Sequence, residues 1–329
     1  MTTKKMIAAV LTRYGAPENI KIASLSVPSP KANQVLVKVN ATPVTAADTM
    51  MRQAIPPISR LFLGFSRPRN NIMGTGFAGE VVGLGAEVSH FEVGDRVFGE
   101  SGIGFSANAE YVCVDEDGVI ELAPNTLSDE EAATIGDGPM TSYHFLKTLG
   151  QVKAGQSVLI IGASGSLGTA AVQIAKALGA KVTGVCSGRN AELVRSLGAE
   201  SVIDYTTTDF RQNGEKYDII YDTIGISSFR KCRSSLSERG IYMSPRLGFS
   251  LLLDLLFTRF FSRQKARFDA TGMRSPEMLR GYLADIVELV EQGQLEVVID
   301  KRYPLEEAVA AHRYVDSGRK RGNVVLLAH

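Results

Sequence analysis

Cysteine is scarce, tryptophan is missing, and neither sign of charge prevails. The three cysteines, Cys113, Cys186 and Cys232, stand far apart with no CxxC pair. That argues against a disulfide scaffold and a thiolate zinc site, and it fits a reducing compartment. Thirty-six Lys and Arg face 35 Asp and Glu in 329 residues. The balance leaves no electrostatic footprint for nucleic acid or an anionic membrane. Long apolar runs are also few. MIAAVL, Met6 to Leu11, is too short for the apolar stretch of a secretory signal and reads as an opening strand. FSLLLDLLFTRFFS, 249–262, is shorter than the ~20 residues of a bilayer span and holds Asp254 and Arg259. It predicts an amphipathic helix packed on a neighbouring subunit or over a pocket, with a membrane-surface helix as the alternative. The expectation is a cytoplasmic protein without an integral membrane segment. Its 44% hydrophobic content is too high for disorder, and its length suggests two domains.

The first 125 residues carry short strand patterns closed by turn residues: QVLVKVNATPV (34–44), AGEVVGLG (78–85), DRVFGE (95–100) and AEYVCVD from Ala109. Four or five such strands at short spacing suggest an antiparallel, barrel-like unit. From about residue 126 strands and helices alternate. SVLIIG is followed by TAAVQIAKALGA, KVTGVCS by AELVRSLGA, and then come SVIDY, YDIIYD and RGIYMS. Nearly continuous apolar strands between helices predict a parallel sheet covered on both faces. The tail, with VVIDKRYP and NVVLLA, returns to the character of the head.

Two glycine motifs compete for a phosphate. GTGFAG, Gly74 to Gly79, matches G-x-G-x-x-G literally, but the strand EVVGLG follows it instead of a helix. Its glycines read as turn and bulge positions. GASGSLG, Gly162 to Gly168, replaces the first glycine with Ala163 but lies between a strand and a helix. Gly165 would let backbone N–H groups approach a pyrophosphate, and Gly168 would let the helix sit close on the strand. Read as a nucleophile elbow, Gly162-Ala163-Ser164-Gly165-Ser166 misses the last glycine, and His312 and His329 sit in no recognisable setting, so a hydrolase is disfavoured. At the end of the second strand, where NAD sites place an acid, stand Ser187, Gly188, Arg189 and Asn190. Ser187 and Arg189 can bind a 2′-phosphate, which favours NADPH over NADH.

Together these motifs, with FEVGDRVFG, CSGRNAELVRSLGAESVIDY and YPLEEAVAAHRYVDSG–GNVVL, resemble medium-chain dehydrogenases/reductases, in particular the zinc-independent, NADPH-dependent quinone oxidoreductases. The resemblance spans nearly the whole chain and is weakest at about 53–70 and 245–275. It implies an α/β fold: a GroES-like β-barrel domain plus a doubly wound Rossmann domain, usually in a homodimer. Residues 1–125 would form the first part of the GroES-like substrate domain, 126–274 the Rossmann NADPH-binding domain, and 275–329 the return to the substrate domain. Zinc-dependent relatives carry a histidine where Thr75 stands, a cysteine where Thr45 stands, and a third ligand near Asp137, so the catalytic metal should be absent. The resemblance further places Thr141 at the nicotinamide and Ser164, Gly165, Ser166, Leu167 and Gly168 at the pyrophosphate. Ser187, Arg189 and Tyr205 fall around the adenosine 2′-phosphate, and Thr223, Ile224, Gly225 and Ser244 at the nicotinamide ribose and amide. Asn323 occupies a position where the family often has lysine.

Such a protein would deliver hydride from NADPH to a quinone or an α,β-unsaturated carbonyl, and side chains or water would have to supply the proton. Thr45, Asp48, Arg52 and Tyr143 are the candidates, although Asp48 and Arg52, four apart, could simply pair on a helix. Pro56, Pro57, Phe62, Phe65 and the segment 246–262 would line or cover the substrate side, implying a hydrophobic small molecule. An alcohol or aldehyde dehydrogenase and a non-catalytic NADPH-binding sensor are the competing readings.

Overall fold

The computed structural model describes residues 4–328 apart from 56, 58, 59, 66, 67, 103 and 104. They divide into two compact units: residues 1–137, 275–287 and 297–329, and residues 138–274 with 288–296. Pro56 and His329 lie outside the described residues.

The first unit opens with strands β1 (Lys5–Leu11), β2 (Ile20–Ser26) and β3 (Gln34–Pro43), followed by helices α1 (Ala46–Gln53) and α2 (Arg60–Leu63). Strands β4 (Gly76–Leu84), β5 (Arg96–Glu100), β6 (Tyr111–Asp115) and β7 (Val119–Leu122) precede helix α3 (Asp129–Ile135). β3 alternates because QVLVKV is written with period two: Val35, Val37 and Val39 are buried in one core with Phe77, Val97 and Val112. Helix α3, expected to open the nucleotide-binding part, instead packs on β3, β4 and β5, with Ala132, Ala133 and Ile135 turned inward.

The second unit is a six-stranded, all-parallel sheet. Helix α4 (Gly138–Tyr143), continued by a wider π-type turn to Leu149, leads to β8 (Ser157–Ile161), α5 (Ser166–Ala177), β9 (Lys181–Cys186), α6 (Ala191–Ser196), β10 (Ser201–Asp204) and β11 (Tyr217–Asp222). Helix α7 (Phe229–Cys232), β12 (Leu236–Met243), α8 (Phe249–Phe261) and β13 (Lys265–Arg267) complete it. The strand order β10-β9-β8-β11-β12-β13 reverses direction between β8 and β11. In a doubly wound sheet that reversal opens a crevice at the carboxyl ends of the two strands.

After helix α9 (Pro276–Glu291) the chain forms β14 (Ile299–Pro304), helix α10 (Ala308–Asp316) and β15 (Asn323–Leu327). β15 pairs antiparallel with β3, Leu326 opposite Thr42, so the tail rejoins the first sheet. That sheet runs β14-β15-β3-β4-β5-β7, with β6 also on β3. Among the described residues no helix is long and apolar enough to cross a membrane.

Candidate active site

GASGSLG occupies the carboxyl end of β8 and the N-terminus of α5, beside the point where the strand order reverses. Gly165 caps α5 without a side-chain hydrogen bond, leaving the positive end of the helix to an anion. A Cβ at Gly165 would meet nothing nearer than 3.6 Å, so the space before the helix is open. Gly168 is different: a Cβ there would lie 2.7 Å from Ala163 Cα, so only glycine lets the helix lie this close to the strand end. Ser142 Oγ donates to Leu167 O at 2.8 Å, which ties α4, and with it Thr141, to the same loop. Asn190 Nδ2 donates to Ser164 Oγ at 3.0 Å. This loop therefore has the open, helix-capping cradle a pyrophosphate needs.

The parallel register sets Asp204 of β10 opposite Cys186 of β9, and Tyr205 N donates to Cys186 O. Ser187 and Tyr205, 18 residues apart in sequence, thus follow paired positions, with exposed Arg189 just beyond. The same register delivers a residue the sequence reading missed. The Asp204 carboxylate is held below its usual range, first by the Thr206 amide and hydroxyl and then by the Gly188 amide. An acid therefore does stand here, supplied by the neighbouring strand. At the end of β11, Asp222 accepts from the amides of Gly225 (2.8 Å) and Ser227 (2.7 Å) and from the Tyr242 hydroxyl (3.0 Å). Thr223 Oγ1 donates to Ile161 O, so the Thr223–Gly225 loop is pinned to the end of β8. Ser244 is buried after β12 and accepts from Arg246 N.

In the first unit the structure gathers acids. Thr45 caps α1: its hydroxyl accepts from Asp48 N (3.0 Å) and donates to Asp48 Oδ2 (2.9 Å), and Thr45 N also donates to Oδ2. Burial pushes the Asp48 carboxyl up to about 7, against the hydrogen bonds from Thr45. Glu100, at the end of β5, is pushed up to about 8 by burial, with Asp137 and Asp48 adding to the rise and a hydrogen bond from Thr75 opposing it. A Cβ at Gly136 would lie 2.8 Å from Glu100 Cδ, so that glycine makes room for the acid. Asp48 Oδ1 and Glu100 Oε1 are buried with no hydrogen-bond partner among the described residues.

Asp48 and Arg52 share α1 without pairing, because Arg52 turns to Asp316 Oδ2 (2.5 Å) and the Gly15 carbonyl. Beside Arg52, burial pushes His312 down to about 3, so it is a neutral core histidine. Asn323 opens β15 and donates to Val298 O at 3.1 Å, while Tyr143 lies buried in the second unit. Of the apolar residues expected on the substrate side, Pro57 and Phe65 are exposed. Among the described residues, no group of three or more His, Cys, Asp or Glu side chains could hold a metal ion.

Family models for the alcohol dehydrogenase GroES-like domain and for zinc-binding dehydrogenase match residues 31–124 and 197–326. A quinone oxidoreductase from Homo sapiens is 32% identical over 346 residues, covering 99% of each chain. The chain belongs to the medium-chain dehydrogenase/reductase superfamily. Within it the chain is an oxidoreductase of the quinone oxidoreductase-like group, which uses a nicotinamide cofactor. A 2-methylene-furan-3-one reductase from Solanum lycopersicum is 30% identical over 98% of this chain and 79% of that one. The solved quinone oxidoreductase of Coxiella burnetii superposes with a TM-score of 0.88 at 27% identity, covering 99% of this chain and all of that one. In this superfamily member the strand order of the second unit is that of a Rossmann sheet, and the first unit is GroES-like.

Proposed function

We propose that the chain is an NADPH-dependent reductase that transfers hydride to a quinone or an α,β-unsaturated carbonyl without a metal. The observation that carries this reading is the acid cluster. Threonines stand at two positions where zinc-dependent relatives have a cysteine and a histidine, beside buried carboxyls that keep their protons near neutral pH. When bound, the nicotinamide supplies the hydride, and the substrate's oxygen then gains negative charge and requires a proton. The Thr45 hydroxyl gives its proton to the substrate oxygen and takes one in turn from the Asp48 carboxyl through Oδ2, the oxygen it is bonded to. Tyr143 is retained as a second candidate donor. In the second unit Thr141, Ser164, Gly165, Ser166, Leu167 and Gly168 hold the pyrophosphate and nicotinamide side. Ser187, Arg189 and Tyr205 take the 2′-phosphate, with Asp204 as a local counterweight. Ile224 and Ser244 flank the nicotinamide ribose. The first unit is thus the substrate domain and the second the NADPH domain. Residence in the cytoplasm and assembly as a homodimer complete the proposal and rest on the family alone.

Calorimetric titration of the purified protein with NADPH and NADH, with metal analysis of the same sample, tests the cofactor and metal assignments. Preference for NADPH in metal-free protein, followed by turnover of quinones or enones that Asp48→Asn slows, supports the proposal. Stoichiometric zinc or a preference for NADH overturns it in favour of an alcohol dehydrogenase. Tight NADPH binding with no turnover across the acceptor panel points to a sensor.

A further inference from the structure

Asn190 occupies the N-cap of α6 without serving as one. Asparagine is among the best residues for that position, because its side-chain oxygen can accept from the first amides of the helix. Here the side chain makes no capping bond. The residue is only 5% exposed, and its Oδ1 is buried with no hydrogen-bond partner among the described residues. Its amide nitrogen is turned instead to the glycine loop, where Nδ2 donates to Ser164 Oγ at 3.0 Å. An asparagine that forgoes a cap and leaves a buried oxygen unsatisfied is not placed for the stability of its own helix.

The bond decides what the Ser164 hydroxyl can do. A serine hydroxyl has one proton to give and two lone pairs with which to accept. Because Asn190 is the donor, Ser164 Oγ accepts, and its own proton is directed away from the amide. Among the described residues that proton meets no acceptor. Ser164 is half-buried and adjoins Gly165, the open N-cap of α5. Asn190 also closes the turn that carries Arg189, since its N–H donates to Ser187 O at 2.9 Å. One buried side chain thus joins the turn after β9 to the loop after β8.

We propose that Asn190 is a positioning residue that holds the Ser164 hydroxyl as a donor to the pyrophosphate of the cofactor. This rests on the assignment of GASGSLG to that group, and Asn190 itself touches no part of the cofactor. NADPH and NADH share the pyrophosphate, so both are titrated, by their own fluorescence, into five proteins: wild type, Asn190→Ala, Asn190→Asp, Ser164→Ala and Ser164→Ala/Asn190→Ala. Asn190→Ala is expected to weaken both dinucleotides about fivefold and to leave the ratio of their affinities unchanged. Ser164→Ala is expected to weaken both about tenfold, and adding Asn190→Ala to it should cost almost nothing more. The carboxylate of Asn190→Asp can only accept. It takes the hydroxyl proton and sets a negative charge near the phosphates, so the loss should at least match that of Ser164→Ala. Three results overturn the proposal: binding that Asn190→Ala leaves intact, a loss confined to NADPH, or an equal loss with and without the Ser164 hydroxyl. The last is what misfolding or a merely structural role would give. If the wild type binds neither dinucleotide, the pyrophosphate assignment falls and the proposal with it; if the wild type binds and one of the three results appears, the proposal falls alone.

Discussion

Replacing Glu100 with glutamine should remove a pH dependence of stability that burial has built into the first unit. The folded carboxyl is raised from 4.5 to about 8, so between those values the native state holds a proton that the unfolded state has released. Wild-type stability therefore falls as pH rises through that window, by about 1.4 kcal/mol per pH unit. Over the full shift this amounts to about 5 kcal/mol. Glutamine keeps the shape and can still accept from the Thr75 hydroxyl, but it does not ionise. Asp48 is present in both proteins and cancels to first order. The stability difference, Glu100→Gln minus wild type, should grow by roughly 3 kcal/mol from pH 5.5 to 7.5 and level off above 8. Urea unfolding at four pH values, followed by fluorescence at low protein concentration, measures it. Parallel stability profiles for the two proteins would refute the buried, protonated carboxyl of Glu100.

Arg189→Ser should weaken NADPH about tenfold and leave NADH nearly unchanged, read by calorimetry, since it removes a charge that only a 2′-phosphate meets. Gly168→Ala should abolish cofactor binding or cost about 2–4 kcal/mol of stability by thermal unfolding, because the new methyl overlaps Ala163. Asp222→Ala should leave the Gly225 and Ser227 amides and the Tyr242 hydroxyl without their acceptor. The expected result is a rise of tenfold or more in KM for the cofactor, with a loss of about 2–4 kcal/mol in stability.

The strand, glycine turn and helix of GASGSLG were legible because all three are local in sequence. Asp204 was not, because it reaches Gly188 from the neighbouring strand and only the register reveals it. Glu100 was missed for the same reason: it ends an ordinary strand, and what makes it unusual is Asp48, Asp137 and the space left by Gly136. Thr45-x-x-Asp48 was singled out for chemistry, yet the same spacing is a capping box, and the structure uses it as one. In α8 almost every position is apolar, so periodicity announced a helix but not that Asp254 and Thr258 would turn inward.

The pairing of β15 with β3 has a consequence for how the chain is made. Ala41, Thr42 and Pro43 are synthesised well before their partners Leu327, Leu326 and Val325, which lie about 280 residues further along the chain. At ~5–20 residues per second this end of β3 waits tens of seconds on the ribosome. Meanwhile β8 to β13, contiguous in sequence, can pair as they appear. The six-stranded parallel sheet can thus mature on the nascent chain while the first unit's sheet keeps an open edge, the kind of edge on which strands of other molecules add. A pause in translation between the two strands would expose that edge longer.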